Sequence, residues 1–265
     1  MRYRYDHDFH IHSNISPCAS DPAQTPENIL KYAEANHLRQ IVIADHFWDT
    51  AAEGDRNHVW EAVPFEAVAS VRPLPQGENT RFLFGCETDM DEGLNIGIHK
   101  DHYDSFDFIV VPTTHMHLWY PSSTTIPERA KLYRQRFERV LNSDLPLRKV
   151  GIAHPTCSLM ANMYREAHLE VLRLLSDGEF EQLFLGAREK GCGIEINFSL
   201  DQYEEWEKEI VLRPYRIAKD CGCKFYLASD SHTFMGFAGV PARLNAIIDA
   251  LGLTEEEKYY IPGRE

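Results

Sequence analysis

The chain has 265 residues, of which 41 are acidic and 27 basic, giving a formal charge of -14, with 43% hydrophobic and 26% charged residues. Such a composition is ordinary for a folded protein and excludes disordered, collagen-like and miniature scaffold classes, while the acid excess argues against a polynucleotide partner, which calls for a basic face. The six cysteines form no paired framework, no charged segment followed by an apolar stretch opens the chain, and no apolar run approaches the roughly 20 residues of a membrane helix; a cytoplasmic protein with reduced thiols and no membrane partner is expected.

In chain order, Tyr5 to Ile11 predicts a strand that closes on Asp8-Phe9-His10-Ile11-His12. Thr25 as a cap and Pro26 at the first helical position predict a helix to Asn36. A second strand, Gln40 to Ala44, runs into Asp45-His46, and a helix follows over Pro64 to Arg72. Strand three, Arg81 to Glu87, ends on Cys86-Glu87, and strand four, Phe108 to Thr113, runs into Thr114-His115-Met116-His117. After a helix over Ile126 to Ser143, strand five, Val150 to Ala153, gives way to His154-Pro155. Helical periodicity returns over His168 to Leu175 and continues through Phe180 to Lys190, ahead of strand six, Gly193 to Asn197, which carries Glu195-Ile196-Asn197. A helix over Ile210 to Cys221, strand seven over Lys224 to Ala228 leading into Ser229-Asp230-Ser231-His232, and a helix over Pro241 to Leu251 complete the series.

Seven strands alternating with helices imply a mainly parallel sheet covered by helices, and the regular spacing favours a closed barrel formed by residues 1 to 265 as a single domain. The two longest irregular stretches, Phe47 to Val63 and His115 to Pro127, follow strands at their carboxyl ends, where barrels place their active-site loops.

All seven strand ends carry a candidate ligand or polar anchor, and in a parallel barrel those ends meet on one rim. His10 and His12, two apart on a strand, project the same way, so both imidazoles can reach one ion; alone, such a pair is more often a satisfied structural or surface pair. Imidazole with carboxylate suits zinc, manganese or iron rather than magnesium or calcium. Five histidine-bearing ends together with Glu87 and Asp230 exceed one tetrahedral ion, so a multinuclear centre with a bridging carboxylate is implied. Closely spaced ions generate a hydroxide nucleophile and clamp both oxygens of an in-line displacement, which is phosphoester chemistry.

The order His10-x-His12, Asp45-His46, Glu87, His115, His154-Pro155 and Asp230-x-His232 resembles the polymerase and histidinol phosphatase (PHP) domain from the first strand to the last helix. Glu195-Ile196-Asn197 and Leu227-Ala228-Ser229-Asp230-Ser231-His232 look like the last two motifs of its stand-alone, histidinol-phosphatase-like members. The resemblance implies a distorted seven-stranded (β/α)7 barrel holding two or three ions of Zn, Fe or Mn. His10, His12, Glu87 and Asp230 would hold the first, Glu87 would bridge to a second on His115 and His154, and His46 and His232 would hold a third with one ligand from the loop after His12. Where the family places His or Asp in that loop, this chain offers Cys18 or, if the loop shifts, Asp21. Cys18 has an alternative reading as a small buried residue that packs the loop.

The implied activity is hydrolysis of a small phosphorylated metabolite, such as histidinol phosphate, by a metal-activated hydroxide, with Asp230 or His232 moving the proton and Glu87 bridging. Asp45 is expected to orient an imidazole or close the rim, His117 to replace His115 or reach substrate, and Asn197 to donate to substrate or to a ligand. Arg56 in the long loop is the favoured phosphate contact over Arg129, Lys131, Arg134 and Arg136, whose helix reads as a solvated face. His7, His37, His99, His102 and His168 read as surface or capping residues. Trp48, Trp60, Trp119 and Tyr120 read equally as a wall around a leaving group or as a satellite cluster. Alternatives are an amidohydrolase-like hydrolase of C–O or C–N bonds, which normally shows a lysine at the fourth strand that is missing here, and a non-catalytic metal-binding regulatory module.

Overall fold

The computed structural model describes residues 1–19, 21–54 and 62–264. Its strands are β1 (His7–Ile11), β2 (Gln40–Ile43), β3 (His46–Phe47), β4 (Arg81–Thr88), β5 (Phe108–Pro112), β6 (Val150–Ala153), β7 (Gly193–Ile196) and β8 (Lys224–Leu227). Every named pairing is parallel, in the order β1-β2-β4-β5-β6-β7-β8, with the two-residue β3 lying beside the end of β4. The helices are α1 (Pro26–Ala35), α2 (Phe65–Ala69), α3 (Ile126–Leu141), α4 (Arg165–Leu174), α5 (Asp177–Lys190), α6 (Glu205–Asp220) and α7 (Val240–Leu251). The expected TIM-like α/β barrel is thus present, with β3 as an addition.

The sheet curls until β8 meets β1 across a seam held partly by side chains. Asp230 N donates to His10 O at 2.8 Å and His12 N to Ser231 O at 3.1 Å. Lower in the seam, Leu227 N donates to the His7 ring at 3.0 Å and Ser229 N to Asp8 Oδ1 at 2.8 Å. His7, expected to be a surface or capping residue, is therefore a buried acceptor that closes the barrel, and its other nitrogen faces Asp6 at 3.0 Å.

Two apolar layers follow from strand alternation. Phe9, Val42, Leu83, Phe108, Val110 and Tyr226 fill the barrel, while Ile41, Ile43, Phe84, Ile109, Ile152 and Ile194 face outward against the helices. Gly151 is required inside: a Cβ there would stand 2.5 Å from the Phe108 ring and from the Tyr226 hydroxyl. On β1 the alternation breaks, because Asp8 pairs with Ile41 and Ile11 with Ile43, three residues against two. This bulge adds one position after Phe9, so that His10 and His12 join Phe9 on the inner face.

Three helices depart from expectation. The segment read as continuous from His168 to Lys190 is split, since Ser176 and Glu179 form a reciprocal capping box that starts α5. α6 begins at Glu205 rather than Ile210, because Glu204 and Glu207 form another such box. α2 is shorter than expected. The stretch Phe234–Leu251 is long and apolar enough for a membrane span by length and composition alone. It is divided at Gly239, and α7 turns Val240, Leu244, Ile247, Ile248 and Leu251 into the core.

Candidate metal centre

Backbone geometry at the carboxyl rim places the donors. His154 and Asp230, each directly after a strand or close to its end, have positive φ, 26° and 52°. Non-glycine residues hold such angles only when their surroundings enforce them, commonly at functional sites.

Glu87 is the centre of the cluster. Its Oε2 lies 2.9 Å from His46 Nδ1, 3.4 Å from His10 Nε2 and 3.5 Å from His12 Nε2. Its Oε1 lies 3.4 Å from His154 Nε2 and 3.9 Å from His115 Nε2. His10 Nε2 and His12 Nε2 are 3.1 Å apart, and Asp230 Oδ1 is 3.1 Å from the latter. Four overlapping sets of donor atoms, each within 4.8 Å of one another, result: His10, His12, Asp230; Glu87, His115, His154; His10, His154, Glu195; and His12, Cys18, His46, His232.

The opposite ring nitrogens are engaged outward. His10 Nδ1 donates to Glu195 Oε2 at 2.9 Å, His115 Nδ1 to Asp89 Oδ2 at 3.0 Å, His154 Nδ1 to Thr114 Oγ1 at 3.0 Å and His232 Nδ1 to Asp230 O at 2.9 Å. With the proton held on Nδ1, each Nε2 presents a lone pair inward. Lone pairs converging on carboxylate oxygens, with Glu87 Oε1 buried and without a hydrogen-bond partner among the described residues, are what a bound cation requires. The donors are nitrogen, oxygen and sulfur, which suits zinc or iron better than magnesium or calcium. The cluster can hold metal ions.

Electrostatics without an ion show the same convergence. Burial disfavours charge on His10, yet Glu195, Glu87 and Asp230 outweigh it and hold its pKa well above the usual range. Burial, reinforced by His232 and His46, drives His12 well below it. For Glu87, burial is overcome by His46 and His10, and its pKa falls well below the carboxylate range. Burial raises the Cys18 thiol, but hydrogen bonds to His232 and His46 bring it below its ordinary value.

Of the residues singled out in the sequence, His10, His12, Cys18, His46, Glu87, His115, His154, Asp230 and His232 come together. Asp21 does not, because its carboxylate accepts from Ala23 N and Phe234 N instead. His117 lines the adjoining pocket of about 280 Å³, together with His46, Glu87, His115, Leu159, Met163, Asp230 and His232. Asn197 Nδ2 reaches Asp230 Oδ2 at 3.5 Å, and Asp45 accepts from Ser13 N, Ser13 Oγ and Ser16 Oγ, fastening the loop after His12. Arg56 and Trp60 lie outside the described residues.

Several expectations change. Arg129 and Arg136 are buried rather than solvated: Arg129 donates to the carbonyls of Pro121, Thr124 and Met160, and Arg136 to those of Met90 and Thr113. His168 is buried on Thr156 O at 2.7 Å, whereas His99 does cap the turn Lys100–Ser105. Trp48 is buried against Gly97, which favours the satellite-cluster reading at that position. Sequence reasoning marked the Glu195 motif without giving that carboxylate a role, and it passed over Asp89. Glu195 holds His10 and accepts from the Tyr226 hydroxyl, and Asp89 holds His115 while facing Arg136 at 3.8 Å. The available signal was their place at strand ends with the parity of the ligands.

Fold and cluster define an α/β barrel of TIM-like type with a buried, metal-competent His, carboxylate and thiol set on its carboxyl rim. No family model and no curated protein matches the chain. Among solved structures it is similar in fold to a histidinol phosphate phosphatase from Lactococcus lactis subsp. lactis Il1403, complexed with zinc, L-histidinol and phosphate. Identity is 14%, the match covers 96% of this chain and 98% of that one, and the TM-score is 0.51. A looser likeness, TM-score 0.44 at 11% identity over 96% of this chain and 94% of the other, is to a probable 2-pyrone-4,6-dicarboxylic acid hydrolase from Acinetobacter baumannii with citric acid bound.

Proposed function

We propose that residues 1–265 form one catalytic domain, a PHP-type metal-dependent phosphoesterase that hydrolyses a small phosphomonoester. The observation that carries this reading is one buried carboxylate, Glu87, set among five imidazoles, with Oε2 toward His10, His12 and His46 and Oε1 toward His115 and His154. His10, His12, Asp230 and Glu87 would hold one ion, Glu87, His115 and His154 a second, and Cys18, His46 and His232 a third. Ions bound there would supply a nucleophile from water at neutral pH and neutralise the phosphoryl oxygens.

The remaining steps belong to side chains. Asp230, at the pocket and 28% exposed at its side chain, takes up the proton of the attacking water and returns it to the leaving oxygen, while His232 beside it donates from Nδ1 to the Asp230 carbonyl. Asn197 keeps the Asp230 carboxylate oriented. His117, whose buried Nδ1 has no hydrogen-bond partner among the described residues, contacts the phosphoryl group, as does Arg56 from the long loop. The phosphatase of similar fold was crystallised with L-histidinol and phosphate, which makes histidinol phosphate the reference substrate.

Elemental analysis of the purified protein and phosphate release from a panel of phosphomonoesters test the reading, with His10→Ala as control. At least two equivalents of transition metal are expected in wild type, and near-complete loss of turnover in the variant. Fewer than two equivalents, or activity that survives the substitution, overturns it.

A further inference from the structure

Beyond the metal donors, the pocket has a wall of different character. Its lining residues outside the donor set, among those described, are His117, Leu159 and Met163. Met163 is 71% exposed, an apolar side chain left in water at the entrance to a polar cluster. It is held there by the backbone: Asn162 and Met163 are consecutive positive-φ residues, at 52° and 66°, and Met163 N donates to Ser158 O at 3.0 Å.

The segment is also clamped from outside the pocket. Buried Arg129 donates to Met160 O at 2.8 Å and, on the neighbouring loop, to Pro121 O at 2.8 Å and Thr124 O at 3.0 Å, while Asn162 Nδ2 reaches Tyr120 O at 3.3 Å. Two rim loops are thereby fixed to each other, and Leu159 and Met163 are presented in place before any ligand arrives. A preformed apolar wall facing a polar pole is how small-molecule sites divide the work of binding and orientation.

We propose that Leu159 and Met163 form the subsite for the organic part of the substrate and select a neutral, apolar group of about one ring over one bearing an ammonium. The inference rests on the phosphoesterase reading, in which the metal pole takes the phosphate. A pocket of about 280 Å³ lies at the small end for ligand sites and has room for little more than a phosphoryl group and one ring. An ammonium placed against Leu159 and Met163 loses its water and finds no carboxylate there among the described residues, since the two acidic side chains of the lining, Glu87 and Asp230, belong to the donor set. An aromatic ring meets the polarizable thioether of Met163 instead.

Two measurements on the zinc-loaded protein separate this from the reading beneath it. Calorimetric titration with phenylphosphonate and with 2-aminoethylphosphonate reads the subsite without turnover, and kcat/KM for phenyl phosphate, phosphoethanolamine and histidinol phosphate reads it with turnover. Wild type is expected to prefer the phenyl compounds by about tenfold or more, and Met163→Glu and Leu159→Glu are each expected to shrink that ratio about tenfold, mainly through KM. Equal affinities in wild type, or ratios unchanged in both variants, overturn the subsite while leaving phosphatase activity standing. Selective phosphonate binding without phosphate release from any ester supports the subsite and overturns the phosphatase reading. Binding of neither phosphonate overturns the subsite.

Discussion

Glu195 shows how much one unliganded side chain can govern. Fully buried, it accepts from His10 Nδ1 and from the Tyr226 hydroxyl, and so decides which His10 nitrogen faces Glu87. Removing its charge in Glu195→Gln is expected to weaken metal retention about 10- to 100-fold, read by dialysis against a competing chelator, with the circular dichroism spectrum unchanged. His168 makes a prediction of another kind. Burial brings its pKa down to about 4 from the usual 6.5, despite its bond to Thr156 O. Because the folded value is the lower one, its contribution to stability is complete above about pH 6.5 and is lost as pH falls toward 4, by at most about 3 kcal/mol. Urea unfolding across that window is expected to show the loss in wild type and a flatter profile in His168→Gln. The donor residues themselves were legible in the sequence, since short polar tails after apolar runs mark strand ends. Glu195 and Asp89 were harder to read because orienting a ligand leaves no spacing of its own, and Arg129 and Arg136 look like any charged helix face until the loops that bury them are in place.

At the scale of elements, local signals and long-range ones behaved differently. The strands were readable almost to the residue, as buried parallel strands appear as unbroken apolar runs. The break between α4 and α5 was also written locally, in Ser176 and Glu179, though helical periodicity on both sides hid it. Ser176→Ala is expected to cost about 1 kcal/mol in urea unfolding. The β1 bulge was beyond reach, because an extra residue exists only relative to the partner strand. Period-two reasoning rightly paired His10 with His12 but could not say that a register shift turns both inward. Gly151 on β6 expresses the same dependence on neighbours: Gly151→Ala forces a methyl group against Phe108 and Tyr226, with an expected loss of about 1–3 kcal/mol by the same assay.

For the molecule as a whole, the donors span residues 10 to 232, and the first and last strands contribute to the same set. Ions bound to the folded state alone stabilise it by mass action, by about 4 kcal/mol at a thousandfold excess over the dissociation constant. Chelation is therefore expected to lower the midpoint of thermal unfolding and zinc to restore it, as followed by differential scanning calorimetry; a midpoint indifferent to both would show that the cluster holds no ion under those conditions. The seam between β1 and β8 adds a temporal consequence. During synthesis, a chain that has emerged only as far as β7 has His10 and His12 but neither Asp230 nor the partner strand that fixes them, so the N-terminal pair has no completed site in which to sequester a scarce metal. Completion of the His10, His12 and Asp230 set is therefore a late event, and an ion held there would mark a closed ring.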